Sequence, residues 1–340
     1  MTRERSRGGR GIAPGLELVP TTRLLDQPVD AWLSLGPGDR ILVSAGETVA
    51  PGTPLAERLR DARLADAPMN GPMRPGDRWT LTPGSPGPRP AVAHGELLYE
   101  SGGRWRMAAG DRPEPFESPV AGIVREVRPG IGIAIRATGA GLRGAFALGG
   151  AARGRLDIAA GADGEILPRA LDVGAAGAIL VVGARIEAEA LTRSRAMGVR
   201  GIVVASLATK EQRDFLASEA RQRAALHRLP PLAVLVLHGT VRRAISAPAM
   251  ALLESIAGRD VAIVGDPPRL VYDPEGVETA RPRRDTVHVR SGPLAGQAGR
   301  WDGLAGLRRF AGGTYLEAGF VRFGDDPPIA IALGDLERIE

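Results

Sequence analysis

The chain has 340 residues, enough for two or three separate cores, with 44 lysines and arginines against 39 acids, no cysteine and a single lysine, Lys210. The lack of cysteine excludes disulfides, thiolate metal sites and cysteine nucleophiles; lysine chemistry is excluded everywhere but position 210. The formal net charge of +5 is weak support for a polyanionic partner, and the isoelectric point of about 10.4 reflects how little titrates between histidine and arginine.

Residues 1–10 are basic, but no apolar run follows them, so they are not read as a signal peptide. No stretch approaches the ~20 apolar residues that span a bilayer. A cytoplasmic protein without a membrane partner is expected. Aromatic residues make up 4% of the chain, beside 46 glycines and 28 prolines, which predicts many turns, short strands and aliphatic cores.

In chain order, residues 1–29 form an N-terminal arm. Its first ten carry Arg3, Arg5, Arg7 and Arg10 against Glu4. This composition reads as a disordered terminus or as a basic arm on RNA or phosphate. Residues 30–62 give two short strands punctuated by turns at Gly36-Pro-Gly-Asp39, Ala45-Gly-Glu47 and Pro51-Gly52. Residues 117–136, with Gly122, Val127, Gly130 and Arg136, repeat that turn–strand pattern. An insertion at 63–116 lies between them. It is rich in proline and glycine over 83–90 and holds a hairpin at 95–107, turning at Ser101-Gly-Gly. The two halves resemble those of a barrel-sandwich hybrid, the fold of biotinyl and lipoyl domains, with similar modules in RNA polymerase large subunits and some redox-complex subunits. The resemblance covers roughly 30–140 and implies a β domain over 30–145. Biotinyl and lipoyl domains carry their cofactor on a hairpin lysine. This lipoyl-like segment has none, so it is not lipoylated, and no cofactor is expected.

Gly139-Ala-Gly141-Leu-Arg-Gly144 matches the dinucleotide pattern G-x-G-x-x-G, which must open a helix to bind phosphate. The glycine-rich 145–154 breaks any helix, so the segment reads as a connector. From 154 to 265 short apolar runs (156–159, 178–182, 201–204, 232–237, 261–264) alternate with helical periodicity (163–173, 187–197, 210–227, 247–257). This predicts a small parallel α/β domain. Ligands of such sheets sit beyond the carboxyl ends of the strands. Gly183, Arg185, Ser206, Thr209, His238 and Thr240 fall there and form a possible pocket for a small anionic ligand, with Gly239 allowing close approach and Thr209 at a helix start. The same residue types also end strands and cap helices. His238 is the best acid–base candidate, but it has no identifiable partner. His94, His227 and His288 are scattered without metal-ligand spacing. No Walker A or nucleophile-elbow motif occurs, so no catalytic or metal residue is assigned.

Residues 281–284 are a basic linker. Beyond it, Val287 and Val289 alternate into a turn at Ser291-Gly292-Pro293, followed by Gly296 and Gly299. This stretch resembles the KOW motif of transcription elongation factors and some ribosomal proteins. The resemblance implies an SH3-like barrel that docks on RNA, RNA polymerase or ribosome. Strands are expected at 300–303, 314–323, 329–333 and 336–339, with a loop at 304–313. Candidate contacts to nucleic acid or partner are Arg290, Arg300, Trp301, Arg308, Arg309 and Phe310, although Trp301 and Phe310 also read as core. Residues 285–340 hold six arginines against eight acids, a net of −2, which leaves RNA binding, protein–protein interaction and a structural barrel all open.

The expected fold class is therefore multidomain β plus α/β: a barrel-sandwich-hybrid-like domain, a small parallel α/β domain over 154–265 and a C-terminal SH3-like KOW barrel with its linker over 281–340. The expected function is a non-enzymatic accessory factor on transcription or translation machinery. The alternative is a scaffold subunit of a multi-subunit enzyme, with other protein subunits as partners and a small anionic metabolite in the α/β domain.

Overall fold

The computed structural model describes residues 13–35, 39–59, 63–68, 78–80, 94–101, 104–109, 113–171, 173–225, 232–277 and 285–340. The expectations for residues 1–10, the proline-rich 83–90, His227 and the linker 281–284 lie outside the described residues. The described residues are mostly β-sheet, with three α-helices and several sheets. It divides into two compact units. The larger comprises Leu25–Ile245 and Leu252–Val277; the smaller comprises the residues up to Leu24, Ser246–Ala251 and the residues after Val277.

Strand β1 (Thr21–Thr22) belongs to the smaller unit. The larger unit opens with β2 (Val29–Ser34), β3 (Arg40–Ile41), β4 (Thr48–Val49) and β5 (Pro54–Leu59). Next come β6 (Arg63–Pro68), β7 (Arg78–Thr80), β8 (His94–Ser101) and β9 (Arg104–Ala109), which pair as an antiparallel sheet in the order β6-β9-β8-β7. β8 and β9 are the hairpin expected at 95–107. Then β10 (Pro113–Glu117), β11 (Gly122–Arg128) and β12 (Gly132–Ala137) complete two further antiparallel sheets, β2-β12-β11-β4 and β10-β5-β3. Alternation along β2 and β12 sends Val29, Ala31, Leu33, Ile133 and Ile135 into a shared core with Leu55, Val120 and Val124. Arg136 and Asp30, opposite each other on the exposed face, form a two-pronged pair at 2.8 and 3.0 Å. The Arg136 guanidinium holds the Asp30 carboxyl below its ordinary range.

The remainder of the larger unit is an eight-stranded mixed sheet. Its members are β13 (Ala140–Arg143), β14 (Phe146–Leu148), β15 (Ala152–Ile158), β16 (Ala178–Val181), β17 (Gly201–Val204), β18 (Ala233–Val236), β19 (Asp260–Gly265) and β20 (Pro268–Tyr272), in the order β13-β20-β19-β15-β16-β17-β18-β14. Helices α1 (Ala188–Ala196) and α2 (Thr209–Ala225) lie in the β16–β17 and β17–β18 crossovers, and α3 (Ala247–Ser255) precedes β19. β15 to β18 are parallel, and every residue of β16, β17 and β18 is buried. Burial on both faces is why these strands read as unbroken apolar runs. One face packs against Leu191 and Phe215 of the helices.

Three sequence expectations change here. The run at 261–264 is a strand, but β19 lies antiparallel to β15, because apolar periodicity reports a strand and not its direction. The helix expected over 163–173 is replaced by 3-10 turns at Pro168–Ala170 and Val173–Ala175. Gly164 and Pro168 stand where a continuous helix would need good helix formers. The segment 139–144 is not a connector. It holds edge strand β13, paired with β20, while Phe146–Leu148 pairs with β18 at the opposite edge.

The smaller unit adds β21 (Thr286–Val289), β22 (Ala298–Arg309), β23 (Tyr315–Arg322), β24 (Ile329–Ala332) and β25 (Leu336–Ile339). They form a sheet in the order β1-β25-β21-β22-β23-β24, antiparallel except for the parallel β1–β25 edge. Its core joins Val287, Val289, Trp301, Val321 and Leu336 to Leu16 and Val19. Residues assigned by sequence to an arm thus supply part of this core.

Candidate functional site

The loop expected at 304–313 is largely strand. β22 runs unbroken to Arg309 and pairs with β23 from Arg300↔Arg322 to Arg309↔Tyr315. Two register shifts, at Trp301/Gly303 and Leu304/Gly306, absorb the extra residues. Gly303 (φ +114°) and Gly306 (φ +67°) supply the backbone conformations these bulges need. Glycines that suggest a loop in sequence are bulge glycines inside a ribbon.

β21 pairs with β22 only at residues 298–300, and β24 pairs with β23 only at residues 318–321. Between those limits the hairpin is a two-stranded ribbon, and among the described residues no further strand pairs with either of its long edges. Its tip is closed by Phe310 N–H donating to the Thr314 carbonyl at 2.9 Å. Cross-strand register puts Leu307, Arg309, Tyr315 and Glu317 on one face, and Arg308, Leu316 and Phe320 on the other. Leu307 and Tyr315 are 60% and 61% exposed, and Leu304 and Leu316 are also exposed. The Arg308 guanidinium sits 5.6 Å from the centre of the Phe320 ring.

Of the residues singled out by sequence, Arg300, Arg308 and Arg309 are exposed, and none makes an ion pair with a described residue. Phe310 is half-buried at the tip. Trp301 is corrected: it is 4% exposed, and its indole Nε1 donates to the Pro14 carbonyl at 3.2 Å, so it is core and offers no stacking face. Arg290 is corrected as well. Its side chain is largely buried, 3.7 Å from the fully buried Glu337, which also accepts from Thr22 Oγ1 at 2.9 Å. His288 lies opposite Glu337, and burial pulls its imidazole below the ordinary histidine range. Sequence reasoning missed Leu307, Tyr315 and Leu316. The signal for them was the Gly312-Gly313 turn followed by Thr314-Tyr-Leu316, a hairpin tip rather than the end of a loop.

The other candidates gather at the carboxyl ends of β16 to β18. Arg185 bridges to Ser206 and Glu165, Leu207 N–H donates to the Gly239 carbonyl at 3.0 Å, and Thr209 starts α2. Much of this edge is committed to the protein's own groups. Gly183 (φ +80°) faces the carbonyl oxygens of Gly161 and Gly164, so its missing side chain admits the protein's own loop. Arg185 pairs with Glu165, whose carboxyl it holds low. Ser206 Oγ donates to the Ala184 carbonyl at 2.6 Å. The Glu211 carboxylate accepts from Ala188 N–H at the start of α1 (2.8 Å). Thr209 and Thr240 are exposed, and His238 is half-buried. Among the described residues, no group of three or more His, Asp or Glu could hold a metal ion, and no helix is long and apolar enough to cross a membrane. Set against protein-family models, curated proteins and solved structures, the chain finds no match in any of the three.

Proposed function

We propose that this protein is a non-enzymatic accessory factor that docks on transcription or translation machinery (RNA, RNA polymerase or ribosome) through its C-terminal unit. The observation that carries the reading is the β22–β23 ribbon. Among the described residues it leaves its sheet with neither long edge paired, and it concentrates exposed Arg308, Arg309, Leu307, Tyr315 and Leu316. Tyrosine and arginine are the residue types over-represented where binding energy concentrates. The KOW resemblance over 285–299 supports the same reading, because those residues form β21, the turn and the start of β22. The lipoyl-like resemblance of 30–145 is supported by the paired small sheets around one core, and it adds a second docking module. The test is a tagged pulldown with and without nuclease. Polymerase or ribosomal subunits are expected to co-purify, and to be lost with Arg308→Ala/Arg309→Ala. Subunits of a metabolic enzyme, retained by that variant, would overturn the reading.

A second reading keeps one observation in its favour. Thr209, His238 and Thr240 share the carboxyl edge of the parallel strands, where small ligands of such sheets bind. In that reading the protein is a scaffold subunit holding a small anionic metabolite. A thermal shift with phosphate, lost in His238→Ala, supports it; no shift across phosphate and carboxylate ligands sinks it.

A further inference from the structure

The inference concerns the outer edge of β22 near the ribbon tip and rests on the docking reading above. In an antiparallel ladder, facing pairs that exchange hydrogen bonds alternate with pairs that do not. The bond from Phe310 N–H to the Thr314 carbonyl makes those two a bonded pair, so Arg308 and Leu316 are another, whereas Arg309↔Tyr315 and Leu307↔Glu317 are not. The amides and carbonyls of Leu307 and Arg309 therefore point away from β23, and among the described residues no backbone group meets them there. On this side the last bond from the chain of β21 is Trp301 N–H to the Asp285 carbonyl at 2.7 Å, and Gly15 lies against the Leu304 side chain. The open edge is thus 305–309, about 17 Å long at about 3.4 Å per residue.

An unpaired edge is a template for another strand. Recognition by strand addition takes its affinity from such main-chain groups and its specificity from alternate side chains. Here Leu307 and Arg309 stand on one face and Arg308 on the other. All three are exposed, and neither arginine has a carboxylate partner among the described residues. Opposite charges facing each other across adjacent strands attract and like charges repel. The best incoming strand therefore sets acids against Arg308 and Arg309 and an apolar side chain against Leu307. The edge of β23 is the poorer template, since it carries Glu317 and is taken over by β24 from Ala318 onward. A nucleic-acid backbone is the poorer occupant. Its phosphates accept hydrogen bonds and donate none, so the outward carbonyls would go unmet, Leu307 would be unused and Glu317 would repel.

We propose that the outer edge of β22, at 305–309, takes an acidic, extended segment of a partner protein as an added strand. The experiment measures the anisotropy of a fluorescein-labelled peptide, in which pairs of glutamates alternate with pairs of valines, against the full chain. The parent should bind it, and less tightly as salt is raised. Arg308→Glu/Arg309→Glu changes only exposed side chains. It should weaken binding about tenfold and should instead bind the same peptide with lysines in place of glutamates. Methylating every second peptide nitrogen separates strand addition from plain charge attraction. Methylation of the set that faces the ribbon should abolish binding, and methylation of the other set should leave it within about twofold. Equal loss with both sets, no binding by the parent, or indifference to the charge reversal would each overturn the inference. A labelled oligouridine bound through Arg308 and Arg309, with the peptide ignored, would overturn it and leave the docking reading standing on RNA. Peptide binding as expected, beside a pulldown that yields only a metabolic enzyme's subunits, would uphold the strand addition and overturn the docking reading.

Discussion

Arg195 of α1 and Glu219 of α2 form an ion pair whose side chains are only 4% and 15% exposed, and the guanidinium also lies 4.9 Å from the centre of the buried Phe215 ring. The two ends of this pair should respond unequally to truncation. Glu219→Ala leaves a cation with almost no access to water, and breaking a buried pair in this way costs about 3–5 kcal/mol. The slight exposure of Glu219 points to the lower end, about 3 kcal/mol. Arg195→Met removes the charge and its stacking on Phe215, worth about 1–2 kcal/mol. It leaves a carboxylate that can turn to solvent, so the total should be about 2 kcal/mol. Replacing both partners with apolar residues of similar size, Arg195→Met/Glu219→Leu, should return stability to within about 1 kcal/mol of the parent. Urea unfolding followed by circular dichroism at 222 nm reads these helices. A Glu219→Ala cost below about 1 kcal/mol, or a double variant weaker than both singles, would refute the reasoning.

Gly319 lies directly beneath the Trp301 ring. Gly319→Ala should destabilise the smaller unit by about 1–3 kcal/mol through overpacking, seen as a drop in the tryptophan-fluorescence melting midpoint; an unchanged midpoint would contradict the contact. Gly183 and Gly239 both have positive φ, but only Gly183 faces backbone oxygens, with that of Gly164 2.6 Å from where a Cβ would stand. Gly183→Ala should therefore cost clearly more than Gly239→Ala in matched urea titrations, and equal costs would mean that strain in φ alone decides. His288 has its proton affinity lowered by burial, with Glu337 opposing. Below about pH 6.5 the unfolded chain binds a proton that the folded one resists, so stability is full above that pH and falls as the solution is acidified. His288→Asn should flatten the melting midpoint between pH 7 and 5, and a parent midpoint that rises on acidification would reverse the argument.

The parallel heart of the larger unit was legible because strands buried on both faces leave continuous apolar runs, as at Ala178–Val181 and Ala233–Val236. The direction of β19 was not, because direction depends on how the crossover packs. The strand-end residues lie along the carboxyl ends of β16 to β18, but Gly183 serves the protein's own loop. The ribbon was the larger loss. Gly303 and Gly306 look like loop formers, and only the pairing with β23 turns them into bulges. Net charge says nothing of placement: the pairs Arg290–Glu337 and Arg322–Asp302 cancel within the sum over residues 285–340 and leave it at −2, while only the strand pairing sets Arg308 and Arg309 on the ribbon. Trp301 behaved as a small core requires, and its partner Pro14 could not be guessed from so distant a segment.

The parallel edge between β1 and β25 sets an order of events during synthesis. Thr22 bonds to Glu337, 315 residues later in the chain. At about 5–20 residues per second, that separation corresponds to about 15–60 s of elongation. Throughout that interval Leu16 and Val19 lack the core they join. The larger unit, whose strands all lie between positions 29 and 272, completes its pairing first. A nascent chain stalled before β25 would thus present a finished α/β sheet and an unpaired β1. A fusion placed after Glu340 would have to leave from a residue whose carbonyl already holds the Leu24 amide at 2.8 Å.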